Sequence, residues 1–138
     1  MFYLNPIRNQ LMKPLFLFFI LLCAGASSYA LDCKKAVSTM DLNECASIEA
    51  KKVEAKLNRV YQQALKSLDQ PDTDTELYSE MKKKLINAQR AWVKFREADC
   101  DAVFQRHASG TIRTIMQIGC MQTHAERRIQ DLEDYDKN

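Results

Sequence analysis

The stretch AQRAWVKFREADC, residues 88–100, holds the single tryptophan of the chain and has the spacing of a helix. Gln89, Trp92, Arg96 and Cys100 follow one another at steps of three or four residues. Residues at these steps lie on one face of a helix, so the four side chains share a face. Arg96 follows Trp92 by one turn, and its guanidinium can lie against the indole. The spacing therefore predicts a packing ridge that ends at Cys100.

Apolar residues recur at steps of three and four along three segments of the chain, which is typical of amphipathic helices. We expect helices over about residues 41–68, 74–104 and 111–132. Pro71 lies in a polar break between the first two, and such a short break favours an antiparallel hairpin. The predicted fold is therefore all-α, with three main helices and the first two paired as a long hairpin.

Residues suited to helix N-termini precede each predicted helix. Asp41 with Glu44, and Thr73 with Glu76, have the spacing of a capping box. Thr111 is placed to cap the third helix. The apolar stripe expected on the second helix consists of Leu77, Met81, Leu85, Ala88, Trp92, Phe95 and Ala102 or Val103.

The first thirty residues have the pattern of a secretory signal peptide. A basic start is followed by the apolar run LFLFFILLCA, residues 15–24, and by Ser28-Tyr29-Ala30. We expect cleavage after Ala30, which leaves residues 31–138 as one mature domain in the periplasm or outside the cell. A lipoprotein would use Cys23 as its anchor, but Leu22 stands where a small residue is expected. The remaining sequence predicts no membrane span.

Four cysteines remain in the mature chain, and an even number in a small secreted protein indicates two disulfides. Three pairings are possible. Cys33–Cys45 and Cys100–Cys120 are favoured because each joins neighbours along the chain. No Cys-x-x-Cys motif occurs, and His107 and His124 form no recognisable metal pattern. The sequence therefore predicts neither a metal site nor a cofactor.

The charge of the mature chain is balanced. Without Arg8 and Lys13, the 20 basic side chains fall to 18, which equals the number of acidic side chains. A neutral domain gives no reason to expect a nucleic acid or another polyanion as partner.

Several short motifs together resemble the LprI family of small secreted bacterial proteins. The central motif is QRAWVKFREADC, preceded by Cys33, by MDLNECA at residues 40–46 and by KLNRVY at residues 56–61. Gly110-Thr111, Cys120, Thr123 and Arg127 follow in the family's order. The residues that carry the motif are Asn58, Tyr61, Gln89, Arg90, Trp92, Arg96, Thr123 and Arg127, and we expect structural roles for them. Asn58 or Tyr61 is expected to hydrogen-bond Gln89 or Arg96.

This resemblance implies a helical, disulfide-linked envelope protein. The family takes its name from a mycobacterial lipoprotein described as a lysozyme inhibitor, so inhibition of a lysozyme by occlusion of its cleft is the leading expectation. A non-inhibitory periplasmic interaction protein is the alternative: an envelope regulator, an adaptor or a toxin-immunity protein. A peptidoglycan-acting enzyme is a third hypothesis, since Glu97, Asp99 and Asp101 form a carboxylate cluster. No base, glycine-rich loop or nucleophile motif accompanies that cluster, and we do not expect an enzyme.

The connections between helices are the expected contact surfaces for a protein partner. Residues 69–80 carry five acids and no base. An exposed acidic segment can steer a basic protein such as a lysozyme, although acids at a helix N-terminus also oppose the helix dipole favourably. The turn at residues 107–110 is the second candidate. The residues proposed for partner binding are Asp69, Asp72, Asp74, Glu76, Glu80, His107 and Gly110.

Overall fold

A computed structural model describes residues 31–135 and residue 137. Three helices form its secondary structure: α1, Thr39–Ser67; α2, Tyr78–Arg106; and α3, Arg113–Tyr135. No strand occurs within these residues, and the prediction of an all-α fold is confirmed. The predicted signal peptide, residues 1–30, lies outside the described residues. Within them, no helix combines the length and the apolar character that crossing a membrane requires.

Helices α1 and α2 run in opposite directions. Glu54 on α1 contacts Arg96 on α2, whereas Asp69, just after α1, contacts Lys82 near the start of α2. As the contacting residue on α1 moves towards the C-terminus of that helix, the contacting residue on α2 moves towards the N-terminus of its own helix. This is the expected antiparallel hairpin.

Helix α3 packs against both members of the hairpin. Gln89 near the middle of α2 contacts Arg128, whereas Asp101 near its end contacts Gln117. Helix α3 is therefore antiparallel to α2 and parallel to α1. It is the element through which the two long helices are held together.

The apolar core lies in the half of the bundle nearest the connection between α1 and α2. Its buried residues come from all three helices and from the end of α1: Leu57, Ala64, Leu68, Leu85, Ala125, Ile129 and Leu132. Val53, Val60, Tyr61, Leu65, Tyr78 and Trp92 pack around this core and are half-buried. Each helix thus contributes apolar side chains to the core over only part of its length.

The stripe expected on α2 is only partly buried. Leu85 is buried, but Leu77, Met81 and Phe95 are exposed, Phe95 by 57%. The reason is geometric: α2 packs closely on α3 alone, so a narrower face of it is covered than in a bundle with more neighbours.

Helix α1 begins earlier than expected because Ser38, not Asp41, is its cap. The Ser38 hydroxyl accepts a hydrogen bond from the N–H of Asp41 at 3.1 Å. This satisfies one of the backbone donors that the first turn leaves free. The predicted capping box of Asp41 and Glu44 was therefore misplaced by one turn.

Helix α2 begins later than expected, at Tyr78. Thr73 and Glu76 do interact: the Thr73 hydroxyl accepts from the N–H of Glu76 at 2.9 Å. The Thr73 N–H also donates to the carbonyl of Glu76 at 2.9 Å. These bonds close a turn before the helix instead of capping it.

Both predicted disulfides are confirmed. Cys33–Cys45 ties the segment before α1 to the helix, and Cys100–Cys120 joins α2 to α3. Cys100 is completely buried, and it closes the half of the bundle that lies away from the apolar core.

Candidate binding surfaces

Two guanidinium groups lie over the ring of Trp92. The Arg96 Cζ is 4.6 Å from the indole centroid and the Arg128 Cζ is 6.0 Å from it. A cation at such a distance from an aromatic face contributes about 0.5–2 kcal/mol, depending on desolvation. Arg96 belongs to α2 and Arg128 to α3, so the indole helps to fix how these helices pack.

Arg96 is a buried cation whose carboxylate partner lies on another helix. Its side chain is 9% exposed, and its Nη1 donates to Oε1 of Glu54 on α1. Its Nε is buried without a hydrogen-bond partner in the described chain. From the sequence, Asn58 or Tyr61 is an expected partner of this side chain. The structure gives that place to Glu54, which belongs to none of the quoted motif segments.

Gln89 also finds its partner on another helix. Its Oε1 accepts from the Nε of Arg128 at 2.9 Å. Asn58 and Tyr61 line a cavity of about 120 Å³ together with Gln89 and Trp92, but no hydrogen bond joins them to Gln89 or Arg96 within the described residues. The motif residues thus meet at the junction of the helices, with different pairings from those expected.

Three motif residues face the solvent. Arg90, Thr123 and Arg127 are exposed, and their side chains make no hydrogen bond or ion pair with the described residues. Nothing in the packing of the bundle explains these three residues.

The acidic segment, residues 69–80, is exposed but already engaged within the chain. The Nζ of Lys82 donates to Asp69 at 2.9 Å, and that of Lys83 donates to Glu80 at 3.3 Å. Among the five acids, Asp74 is the one whose side chain makes neither a hydrogen bond nor an ion pair with the described residues. The segment therefore keeps an acidic surface, and Asp74 is the side chain most open to a partner.

The pKa values of two side chains, Asp72 and Tyr78, are shifted at the start of α2. The Ser79 hydroxyl and the Ser79 N–H both donate to Asp72, at 2.6 and 2.8 Å, and lower the pKa of that carboxyl. The Tyr78 hydroxyl donates to Glu76 at 2.6 Å, which raises the pKa of the phenol. Asp72 thus caps a first-turn N–H of α2 from across the turn, whereas the N-cap residue, Leu77, makes no side-chain cap hydrogen bond.

The turn at residues 107–110 is shaped by backbone hydrogen bonds. His107 Nδ1 donates to the carbonyl of Val103 at 2.9 Å, and the Gly110 N–H donates to the carbonyl of His107 at 2.9 Å. His107 is half-buried and Gly110 is exposed. Both predicted residues therefore take part in ending α2, and residues 108–110 of the turn are exposed.

His124 lies beside the second disulfide. Its Nε2 is 2.8 Å from Oδ2 of Asp99, and its ring meets the edge of Phe95 at 5.5 Å between centroids. One potential ligand atom from each of Asp99, Cys100, Cys120 and His124 lies within 4.8 Å of the others. The two sulfurs are bonded to each other, however, and the thiolate rather than the disulfide is the metal ligand.

Two open grooves run along the surface of the bundle. The first, of about 550 Å³, is formed by all three helices near the second disulfide; we call it the α1–α2 trough. It is lined by Ala50, Lys51, Glu54, Arg96, Glu97, Asp101, Gln117, Ile118 and Met121, together with Ser47. The second, of about 610 Å³, lies between α2 and α3 around Leu85 and Leu132. Neither groove can be read from the sequence, because each combines residues from helices far apart in the chain.

These features define a class of protein: a small all-α domain closed by two disulfides, with open grooves along its surface. Residues 32–132 match the family model described as lysozyme inhibitor LprI, and the chain belongs to that family. It is 31% identical over 125 residues to an uncharacterized protein of Rhizobium meliloti (strain 1021), covering 83% of this chain and 88% of the relative. No solved structure matches the chain.

Proposed function

We propose that this protein binds lysozyme-type muramidases in the periplasm and inhibits them by covering the catalytic cleft. The observation that carries the proposal is the match of the LprI family model over residues 32–132. The two disulfides support an extracytoplasmic location, because such bonds persist in oxidising compartments. In this proposal the chain is a binding protein and carries out no reaction.

The exposed acidic segment, residues 69–80, supports a contact with a basic enzyme. Glycoside hydrolases of the lysozyme type work through a pair of carboxyl groups in a cleft, and many lysozymes are basic proteins. An acidic surface raises the rate at which such a protein is encountered. We propose that this segment steers the enzyme, with Asp74 as its most available charge, and that the turn at residues 107–110 is a second contact.

Inhibition of cell-wall lysis tests this proposal directly. The protein is exported to a bacterial periplasm, purified with its disulfides intact and added to a basic, chicken-type lysozyme acting on a peptidoglycan suspension. We expect the initial rate of clearing to fall with inhibitor concentration in the micromolar range, about 1 μM. The Asp74→Asn variant should associate more slowly at low salt and melt like the wild type, because Asp74 has no partner in the described chain.

A matched control removes one charge outside the acidic segment. Glu44→Gln changes an exposed side chain on α1 that makes no hydrogen bond or ion pair with the described residues, and its association rate should match that of the wild type. If the wild type leaves chicken-type, goose-type and invertebrate-type lysozymes uninhibited at these concentrations, the proposal fails. A partner of another kind, recovered from the periplasm by cross-linking, would then favour the interaction-protein alternative.

A further inference from the structure

The half of the bundle that contains Cys100–Cys120 has little apolar core. Buried apolar residues lie between positions 57 and 68 on α1 and its end, at Leu85 on α2 and between positions 125 and 132 on α3. Near the second disulfide, Cys100 is the one buried apolar residue among those described. A covalent bond replaces close packing there, and α1 and α2 leave the α1–α2 trough between them.

The solvent-facing charge of this trough is negative. Glu54, Glu97 and Asp101 line it, against Lys51 and Arg96. The Arg96 cation is buried and paired with Glu54, which itself remains 43% exposed. Glu97 makes no hydrogen bond or ion pair within the described chain. Two exposed carboxylates, Glu97 and Asp101, therefore face one exposed ammonium.

Asp101 is held in place by the helix opposite. The Nε2 of Gln117 donates to its Oδ1 at 2.8 Å. This bond leaves the second carboxylate oxygen available and fixes its position on the wall of the trough. A positioned carboxylate loses less side-chain entropy when it pairs with a cation than a freely rotating one does.

The trough also has an apolar floor. Ala50, Ile118 and Met121 are half-buried and line it from α1 and α3. Lysine and arginine side chains carry an alkyl stem that covers apolar surface and a charged head that seeks hydrogen bonds. A floor of aliphatic groups below a rim of carboxylates matches both parts of such a side chain.

We propose that the α1–α2 trough binds a basic segment of the partner protein, with lysine or arginine stems on the apolar floor and their cationic heads on Glu97 and Asp101. A volume of about 550 Å³ accommodates more than one side chain, so the occupant is a stretch of surface and not a single residue. This inference rests on the proposed function, because it takes a basic muramidase as the partner. The acidic segment then serves encounter, and the trough holds the bound complex.

A double variant tests the trough without disturbing the fold. Glu97→Gln with Asp101→Asn removes two exposed charges, and the amide introduced by the second substitution keeps an acceptor for Gln117. The control, Glu49→Gln with Glu126→Gln, changes the net charge equally at exposed positions outside the trough. We expect the trough variant to bind the chicken-type lysozyme at least about tenfold more weakly, and the control within about twofold of wild type.

A third variant should act in the opposite direction. Lys51→Gln removes the exposed cation of the trough and should tighten binding by about threefold. Circular dichroism and thermal melting of all variants establish that they fold. The inference is overturned if the trough variant and its control weaken lysozyme binding equally, or if neither weakens it. Either result leaves the proposed function standing.

A short basic peptide separates the trough from the muramidase. Amide chemical shifts are followed while an Arg-Lys-Arg-Lys tetrapeptide is added to the wild type and to the trough variant. Shifts on both sides of the trough that disappear in the variant support the inference, even if no lysozyme is inhibited. Shifts that persist in the variant overturn it. The inference is also overturned if sedimentation shows self-association of the wild type that the trough variant abolishes, because the occupant would then be a second copy of the chain.

Discussion

At the scale of single residues, helical spacing predicts one contact of Arg96 and leaves the other undetermined. Its contact with Trp92 follows from a step of four residues on one helix, because neighbours at that spacing meet on its surface. Its carboxylate partner, Glu54, is 42 residues away in sequence. Any of several acids could have reached it, and only the way in which α3 holds α1 beside α2 selects one. The sequence therefore indicates that Arg96 needs a partner, without identifying it.

The pair of Arg96 and Glu54 should contribute a measurable coupling to stability. Glu54→Gln leaves a buried cation facing an amide, and we expect it to lower the free energy of unfolding by about 1–2 kcal/mol. Arg96→Met keeps apolar bulk but also removes the contact with the indole, so its cost should be similar or larger. The double variant should cost less than the sum of the two. Urea unfolding of the four proteins gives the coupling energy, and additive costs would show that the pair does not interact in solution.

At the scale of elements, the three helices could be predicted but their ends could not. Periodicity over a long segment is a strong signal, and each predicted helix overlaps the observed one along most of its length. Capping depends on which of several similar side chains is within reach of the first turn. Ser38 and Asp72 carry out this role, although Asp41 and Thr73 have equally suitable sequence patterns.

The start of α2 should lose stability in acid through Asp72. Its folded-state pKa is below the unfolded value because Ser79 donates two hydrogen bonds to the carboxylate. The stabilisation is therefore fully present above the unfolded-state pKa, about 4, and is lost as the pH falls through the folded-state pKa. We expect Asp72→Asn to be less stable than wild type at about pH 7, and this difference to shrink towards about pH 3.

Chemical denaturation across this pH range measures the difference for Asp72. Asp74→Asn is the matched control, since Asp74 lies in the same segment without a partner in the described chain. Its stability should follow that of the wild type at each pH. A constant difference for Asp72→Asn across the range would show that the carboxylate does not cap the helix in solution.

At the scale of the whole molecule, α3 links the two arms of the hairpin. The sequence predicts a hairpin because a short break joins α1 to α2, but it does not show that their backbones stay apart and meet mainly through α3. That arrangement also explains why core packing and the trough occupy different halves. Residues of α3 between positions 125 and 132 close the core, whereas Gln117, Ile118 and Met121 form part of the trough. One helix thus connects the half that contains the apolar core with the half that contains the trough.

A cavity in the core face of α3 should therefore loosen all three helices together. Leu132 is 1% exposed and belongs to the core that includes Leu57 and Leu85. We expect Leu132→Ala to lower the free energy of unfolding by about 3–4 kcal/mol, and Met116→Ala, at an exposed position of the same helix, by about 0.5 kcal/mol. Hydrogen exchange checks the cooperativity: amide protection should fall by the same factor in α1, α2 and α3. Loss confined to the end of α3 would contradict its central role, because the hairpin would then be stable without it.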